Sequence, residues 1–251
     1  MNFSAIRQLF VRYSLLDWIF NAFLLILLLV IKYYPLPTDY EPYFNSNTTE
    51  PNHSTTVSYT LLALIVFLII PIILFVTWSI NSFNSTIFRV LAAYYYSVLF
   101  SSFLTSSIQR ITRRAKPDTV SVCGGNGSFE DCKKILKNRD LLKQFTSFPS
   151  SHTSLAMSSG MFVTFLFTEI YSETTLLISF IKIIPMIFAF IVGASRIWDR
   201  SSHVDDVVAG FIIGGLVGYF SFKTLLNALK SSPQKNNELS NSASTNMIPG
   251  Y

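Results

Sequence analysis

Charge is scarce in this chain of 251 residues: 13% are Asp, Glu, Lys or Arg, against 50% hydrophobic. Histidine, at three, and cysteine, at two, are scarcer still. Long stretches carry no charge at all, namely Ser58 to Asn84, Trp18 to Ile31 and Val207 to Phe222. A soluble domain has no use for apolar runs of that length, whereas a bilayer requires them, so the chain reads as a polytopic membrane protein. Two cysteines without a neighbouring histidine leave a structural metal shell half empty, and a zinc site built on them is not expected. No small-residue cleavage site follows the first apolar run, so a removable signal peptide is not expected either. There is no internal repeat.

What remains is an all-α membrane helix bundle with six spans, at about Leu15 to Tyr33, Tyr59 to Ile80, Ile87 to Ile108, Ser154 to Ile170, Thr175 to Ala194 and Asp205 to Phe222. The expected organisation is a cytosolic N-terminus (1–14), a membrane domain (15–225) with extramembrane loops at 34–58 and 109–153, and a disordered cytosolic tail (226–251) rich in Asn and Ser. Asp17 and Lys182, inside the first and fifth spans, are expected to snorkel to the cytosolic interface. The aromatic run Tyr94 to Tyr96 is expected to pack at an interface.

Arg7 and Arg12 before the first span, and Lys223, Lys230 and Lys235 after the last, favour a cytosolic N-terminus and, with six spans, a cytosolic C-terminus. One loop opposes this assignment: 109–148 holds Arg110, Arg113, Arg114, Lys116, Lys133, Lys134, Lys137, Arg139 and Lys143 on the side that should be poor in positive charge. The sequons at Asn47, Asn52 and Asn126 fall on that same non-cytosolic side, with Asn84 on the other, and they support the assignment. A basic loop kept outside against the charge rule suggests an anionic ligand. Cys123 and Cys132 both lie in it, in CGGNGSFEDC, and are expected to pair in an oxidising compartment.

The chemistry-bearing residues gather at two polar islands beside apolar spans. SRIWDRSSHVDDVVAG (195–210) packs Arg196, Arg200, His203, Asp205 and Asp206 together, and FPSSHTS (148–154) carries His152. Charges at a membrane edge are costly and mark a functional site. In the six-span topology both islands and the basic loop open on one face, where two histidines among arginines suit phosphoryl chemistry on an anionic substrate. His53, in the first loop, reads as a solvated bystander. The turn Pro149-Ser150-Ser151 offers backbone N–H groups that can cradle an anion.

The stretches RRAKPDTVSVC, FPSSHTSLA and SRIWDRSSHVDDVVAG resemble, in order and in position relative to the spans, the three signatures of the type 2 phosphatidic acid phosphatases, or lipid phosphate phosphatases. The resemblance implies a phospholipid substrate in contact with membrane lipids, no nucleic-acid partner, and neither a metal nor another cofactor. It implies that a histidine of the third signature attacks phosphorus, that Asp206 holds the imidazole, and that His152 protonates the leaving alcohol. Ser150 and Arg196 then match phosphate-binding positions, Lys116 stands where the family has arginine, and Ser151 and Arg114 join the clamp. The chain departs from the pattern at three places. Gln109 replaces the lysine that opens the first signature, Lys116 lacks the arginine fork, and Ser202 occupies the nucleophile position with His203 one residue later. His203 takes the nucleophile's role if 197–203 is loop, since a one-residue slip within a helix would turn the side chain by about 100°. The alternative is a family member without turnover that binds phospholipid or a protein partner. An anion transporter fits less well, because its charges belong at the bilayer midplane.

Overall fold

A computed structural model describes residues 14–33, 48–81, 86–171 and 175–230. The expected N-terminal segment through Tyr13 with Arg7 and Arg12, the sequons at Asn47 and Asn84, and the tail from 231 onward with Lys235 lie outside the described residues. In chain order the elements are α1 (Leu15–Tyr33), α2 (Tyr59–Leu64), a π-helical turn (Ile65–Ile69), α3 (Ile70–Asn81), α4 (Thr86–Thr112), three short helices α5 (Thr119–Cys123), α6 (Phe129–Ile135) and α7 (Asn138–Gln144), then α8 (Ser151–Ile170), α9 (Leu176–Trp198) and α10 (Val204–Lys230). Among the described residues there is no strand. Six helical spans are long and apolar enough to cross a bilayer, with α2, the π turn and α3 forming one of them. The chain is an integral multi-pass membrane protein.

The spans run past the ends of the apolar stretches. The third continues to Thr112, the fourth begins at Ser151, the fifth reaches Trp198 and the sixth reaches Lys230. Residues 226–230, expected as the start of a tail, are therefore helix. A formed helix gains one hydrogen bond for each residue added, so polar residues extend it until a cap or turn intervenes. For α4 the stop is Arg113, whose φ of 49° is left-handed and whose N–H donates to the Gln109 carbonyl at 3.2 Å. That is the αL closure typical of helix C-termini.

The bundle is built around α8, whose first half, SHTSLAMSSG, is mostly small residues. Small residues let neighbouring backbones approach, and in a bilayer this close packing replaces the hydrophobic driving force. Gly210, Gly214 and Gly218 of α10 face it in register, and a Cβ at each would stand 2.8, 2.4 and 2.6 Å from the carbonyl oxygens of Ser150, Ser154 and Ser158. This register sets the first turn of α10 against the first turn of α8 and so joins the two polar islands. Gly214→Ala is expected to destabilise the bundle by about 2 kcal/mol through overpacking, read as a lowered midpoint of thermal unfolding in micelles. The buried hydroxyls of α8 are paired across to α4: Ser154 with Ser101 at 2.7 Å and Thr105 at 2.9 Å, and Ser159 with Tyr94 at 2.8 Å.

Two local expectations are corrected. Tyr94 is a core residue, fully buried, and not an interfacial one; its hydroxyl donates to the Val66 carbonyl at 2.7 Å, and Tyr95 reaches the Phe67 carbonyl at 3.1 Å. Both acceptors lie in the π turn, where a helix opens its hydrogen-bond ladder to side chains. Lys182 does not snorkel; it is buried, and its ammonium donates to the carbonyl of Tyr171, the residue that caps α8. A lysine there satisfies a carbonyl that the helix end leaves exposed.

Between α4 and α8 the loop expected at 109–153 forms a small cap with its own core of Ala115, Cys123, Cys132, Leu141 and Phe145. Cys123 and Cys132 form a disulfide inside it, as the sequence suggests.

Candidate active site

The turn before α8 is fastened before any ligand arrives. Gln109 Nε2 donates to the Pro149 carbonyl at 2.7 Å and Thr112 Oγ1 to the Phe148 carbonyl at 2.8 Å, across a cis Phe148–Pro149 peptide. Gln109, at the position of the family's first-signature lysine, is thus spent on holding the second signature. Ser150 caps α8, and its N–H donates to the Asp206 carbonyl at 2.9 Å, which ties the second signature to the third. Its Oγ accepts from Thr153 at 3.0 Å. Behind Ser150 the first backbone N–H groups of α8, with those of Ser151 and His152 among them, stand at the positive end of a 20-residue helix.

His203 precedes α10; of the loop expected at 197–203, Ile197 and Trp198 belong to α9, and only 199–203 is free of helix. The slip of one residue is therefore taken up in the loop. His203 donates its backbone N–H to Asp206 Oδ2 at 2.8 Å, and its Nδ1 lies 3.1 Å from the same oxygen. The Asp206 side chain is fully buried and also accepts from Ser147 Oγ and, on Oδ1, from Arg114 at 2.7 Å. A carboxylate with this many donors is fixed in orientation and negative in charge.

Arg196, on the last turn of α9, is almost wholly buried and ion-paired with Asp199. One of its nitrogens lies 3.3 Å from His152 Nε2, and its buried Nε has no hydrogen-bond partner among the described residues. An unpaired buried donor beside a histidine and a helix N-terminus is what an anion site looks like before its ligand binds. Lys116 is half-buried nearby. Burial pushes its ammonium below the usual lysine value; Asp118 opposes the shift, while Arg196 and Lys143 add to it. The ring of Tyr59 meets His152 edge-on at 5.2 Å, and Lys32 sits over the Tyr59 ring at 4.7 Å.

His152, His203, Asp206, Ser150, Ser151, Lys116 and Arg196 thus gather at one end of the bundle. Arg114 is turned to other work: its guanidinium bridges Asp205 and Asp206. Arg110 donates to the Lys32 carbonyl at 3.0 Å, at the end of α1. Asp199, Thr56, Ser147 and Tyr59 are absent from the sequence-based set. For Asp199 a signal existed, its i+3 spacing from Arg196; for the others, 59 to 143 residues from their partners, none did. Ligand atoms of His203, Asp205 and Asp206 also lie within 4.8 Å of one another, in the manner of a metal site. The Arg114 guanidinium already bonds both carboxylates, and a cation there would compete with it.

The sequence profile of the PAP2 superfamily matches residues 90–230. The chain belongs to the PAP2 superfamily. Among curated proteins it is similar to phospholipid phosphatase 2 of Bos taurus, 23% identical over 163 residues that cover 61% of this chain and 56% of that protein. It is similar also to phospholipid phosphatase-related protein type 1 of Mus musculus, 25% identical over 147 residues, 53% of this chain and 45% of that one. Phospholipid phosphatase-related protein type 3 of Homo sapiens is 28% identical over 155 residues, 56% of this chain but 22% of that one. The chain spans about half the length of the first two of these relatives. No solved structure matches it. The PAP2 match takes in all the gathered residues, from Gln109 through Asp206, and starts within the third span, so α1 to α3 lie outside it.

Proposed function

We propose that this PAP2 chain hydrolyses lipid phosphate monoesters, such as phosphatidate to diacylglycerol and phosphate, through a phosphohistidine on His203. The observation that carries this reading is the contact of His203 Nδ1 with the buried Asp206 carboxylate at 3.1 Å. With Nδ1 turned to Asp206, Nε2 attacks phosphorus; the P–N bond forms as the P–O bond to the glycerol oxygen breaks. His152 gives its proton to the departing alkoxide. Water then attacks the phosphohistidine and loses its proton to His152, the P–N bond breaks, and phosphate leaves.

Arg196, Lys116, the Ser150 hydroxyl and the first N–H groups of α8, including that of Ser151, take the phosphate oxygens, in a partly dehydrated site where such contacts are strong. Before substrate binds, an Arg196 nitrogen lies against His152 Nε2; a phosphate that draws off that N–H frees Nε2 to carry the proton given to the leaving alkoxide. The Cys123–Cys132 disulfide supports a site on the non-cytosolic side, because such bonds persist in oxidising compartments.

The test is hydrolysis of phosphatidate by the purified protein without divalent metal. Turnover by the wild type and its loss in His152→Ala are expected; turnover that His152→Ala leaves intact refutes the assignment. A pH effect is also expected. Because burial lowers the Lys116 pKa, this lysine loses its proton below the usual lysine range, and phosphate affinity should begin to fall there as pH rises. Lys116→Arg keeps its charge through that range and adds a second donor, so it should flatten the alkaline decline; competition by inorganic phosphate across pH measures this.

A second reading, phospholipid binding without turnover, draws on Ser202 at the family's nucleophile position and on Gln109, bound to the Pro149 carbonyl instead of a ligand. An inert wild type that still binds phosphatidate would favour it.

A further inference from the structure

Asp199 does not belong where it is on local grounds. It closes the C-terminal end of α9, where the helix dipole repels a carboxylate, and it is 1% exposed. A buried charge at an unfavourable helix end persists only if partners hold it. Two do: Arg196, three residues earlier on the same helix face, and Thr56, which reaches in from the first extramembrane loop and donates its backbone N–H at 2.9 Å to one carboxylate oxygen and its hydroxyl to the other.

The loop that supplies Thr56 is itself pinned over the site. The Glu50 N–H donates to the Pro117 carbonyl at 3.0 Å, the Val120 N–H to the Thr48 carbonyl at 2.9 Å, and Glu50 pairs with Arg200 at 2.9 Å. Both carboxylate oxygens of Asp199 are therefore taken, and its orientation follows from the loop. The consequence falls on Arg196. One terminal nitrogen is committed to Asp199, while the other points to His152 and Nε has no hydrogen-bond partner among the described residues. A guanidinium anchored on one edge presents its remaining donors in a fixed plane, which is what bidentate grip of a phosphate requires.

We infer that Asp199 is the positioning residue for Arg196, and that Thr56 extends the phosphate site into the first extramembrane loop. This rests on the reading of Arg196 as a phosphate clamp. Asp199 counters the charge of Arg196 and Asp118 that of Lys116, so the two cations of the clamp are held side by side before substrate arrives.

Inorganic phosphate is the probe, titrated calorimetrically into the full-length protein in lipid nanodiscs, beside KM and kcat for phosphatidate. Asp199→Asn keeps the shape but loses a charge-assisted bond; it is expected to weaken phosphate binding and raise KM about tenfold, with kcat changed less. Thr56→Val should act in the same direction by about threefold, and Thr56→Ser, which keeps the hydroxyl, should match the wild type. A role in folding alone would lower the yield of folded protein while leaving KM unmoved. Should Arg196→Ala abolish phosphate binding while Asp199→Asn and Thr56→Val leave it unchanged or tighter, the inference falls and the clamp stands. Should the wild type not bind phosphate, or Arg196→Ala bind it as the wild type does, the clamp reading falls and this inference with it. If Asp199→Asn does not fold, Thr56→Val decides alone.

Discussion

His203→Ala is expected to remove the phosphoenzyme and to lower turnover by ~10³-fold or more, since no other step of the proposed path can form a P–N bond. The measurement is direct: quench the protein with labelled substrate and look for phosphate that is lost in acid and kept in base. Ser202→His is the companion variant. The Ser202 N–H donates to the Arg196 carbonyl at 3.3 Å, within the turn that closes α9, whereas His203 is bonded through Asp206 to the start of α10. A histidine at 202 would add a ring without displacing the His203 contact to Asp206, so its addition should change wild-type turnover by less than about threefold. An inert wild type that gains turnover with Ser202→His would move the nucleophile to 202. A His203→Ala protein that still turns over fully would remove His203 from the chemistry altogether.

The spans were legible because absence of charge over 20 residues has one physical use, and the edge clusters were legible because charge beside a bilayer is costly. Helix ends were less so. Thr112 and Trp198 end spans that continue through polar residues, and what stops them is a left-handed residue or a turn that hydropathy does not register. Within the site, residue types predicted membership but not partners. Arg114 looked like one more cation for phosphate, yet it lies between Asp205 and Asp206, 91 and 92 residues away in the chain. Gln109 looked like a lost lysine and is a brace for the Pro149 turn. Asp199, one acid among several in its stretch, holds Arg196 in place. The sign and spacing of charges show that a site exists, while the pairing of those charges is decided by helix register, here set by Gly210, Gly214 and Gly218 against α8.

Asp206→Asn should be the most damaging isosteric change in the protein. The carboxylate receives Arg114 on Oδ1 and three donors on Oδ2, namely Ser147 Oγ, the His203 N–H and His203 Nδ1. An amide offers one oxygen and one NH₂, so one edge of this cluster must face donor to donor. If the oxygen stays toward Arg114, the NH₂ meets Ser147 and His203 and forces Nδ1 to accept; the proton then resides on Nε2, the nitrogen that must attack. If the amide flips, the NH₂ meets Arg114, whose half-buried guanidinium keeps only the exposed Asp205. The first outcome disables the nucleophile by tautomer, and in another histidine-based enzyme the corresponding change costs on the order of 10⁴ in turnover. The second breaks a partly buried charge pair and costs about 3 kcal/mol of stability. The first outcome reads as a turnover loss of ~10³-fold or greater and the second as a lowered unfolding midpoint, while inorganic phosphate binding through Arg196 persists in either. A variant that keeps both turnover within tenfold and the unfolding midpoint of the wild type would show that Asp206 only caps α10 and that His203 is not oriented by it.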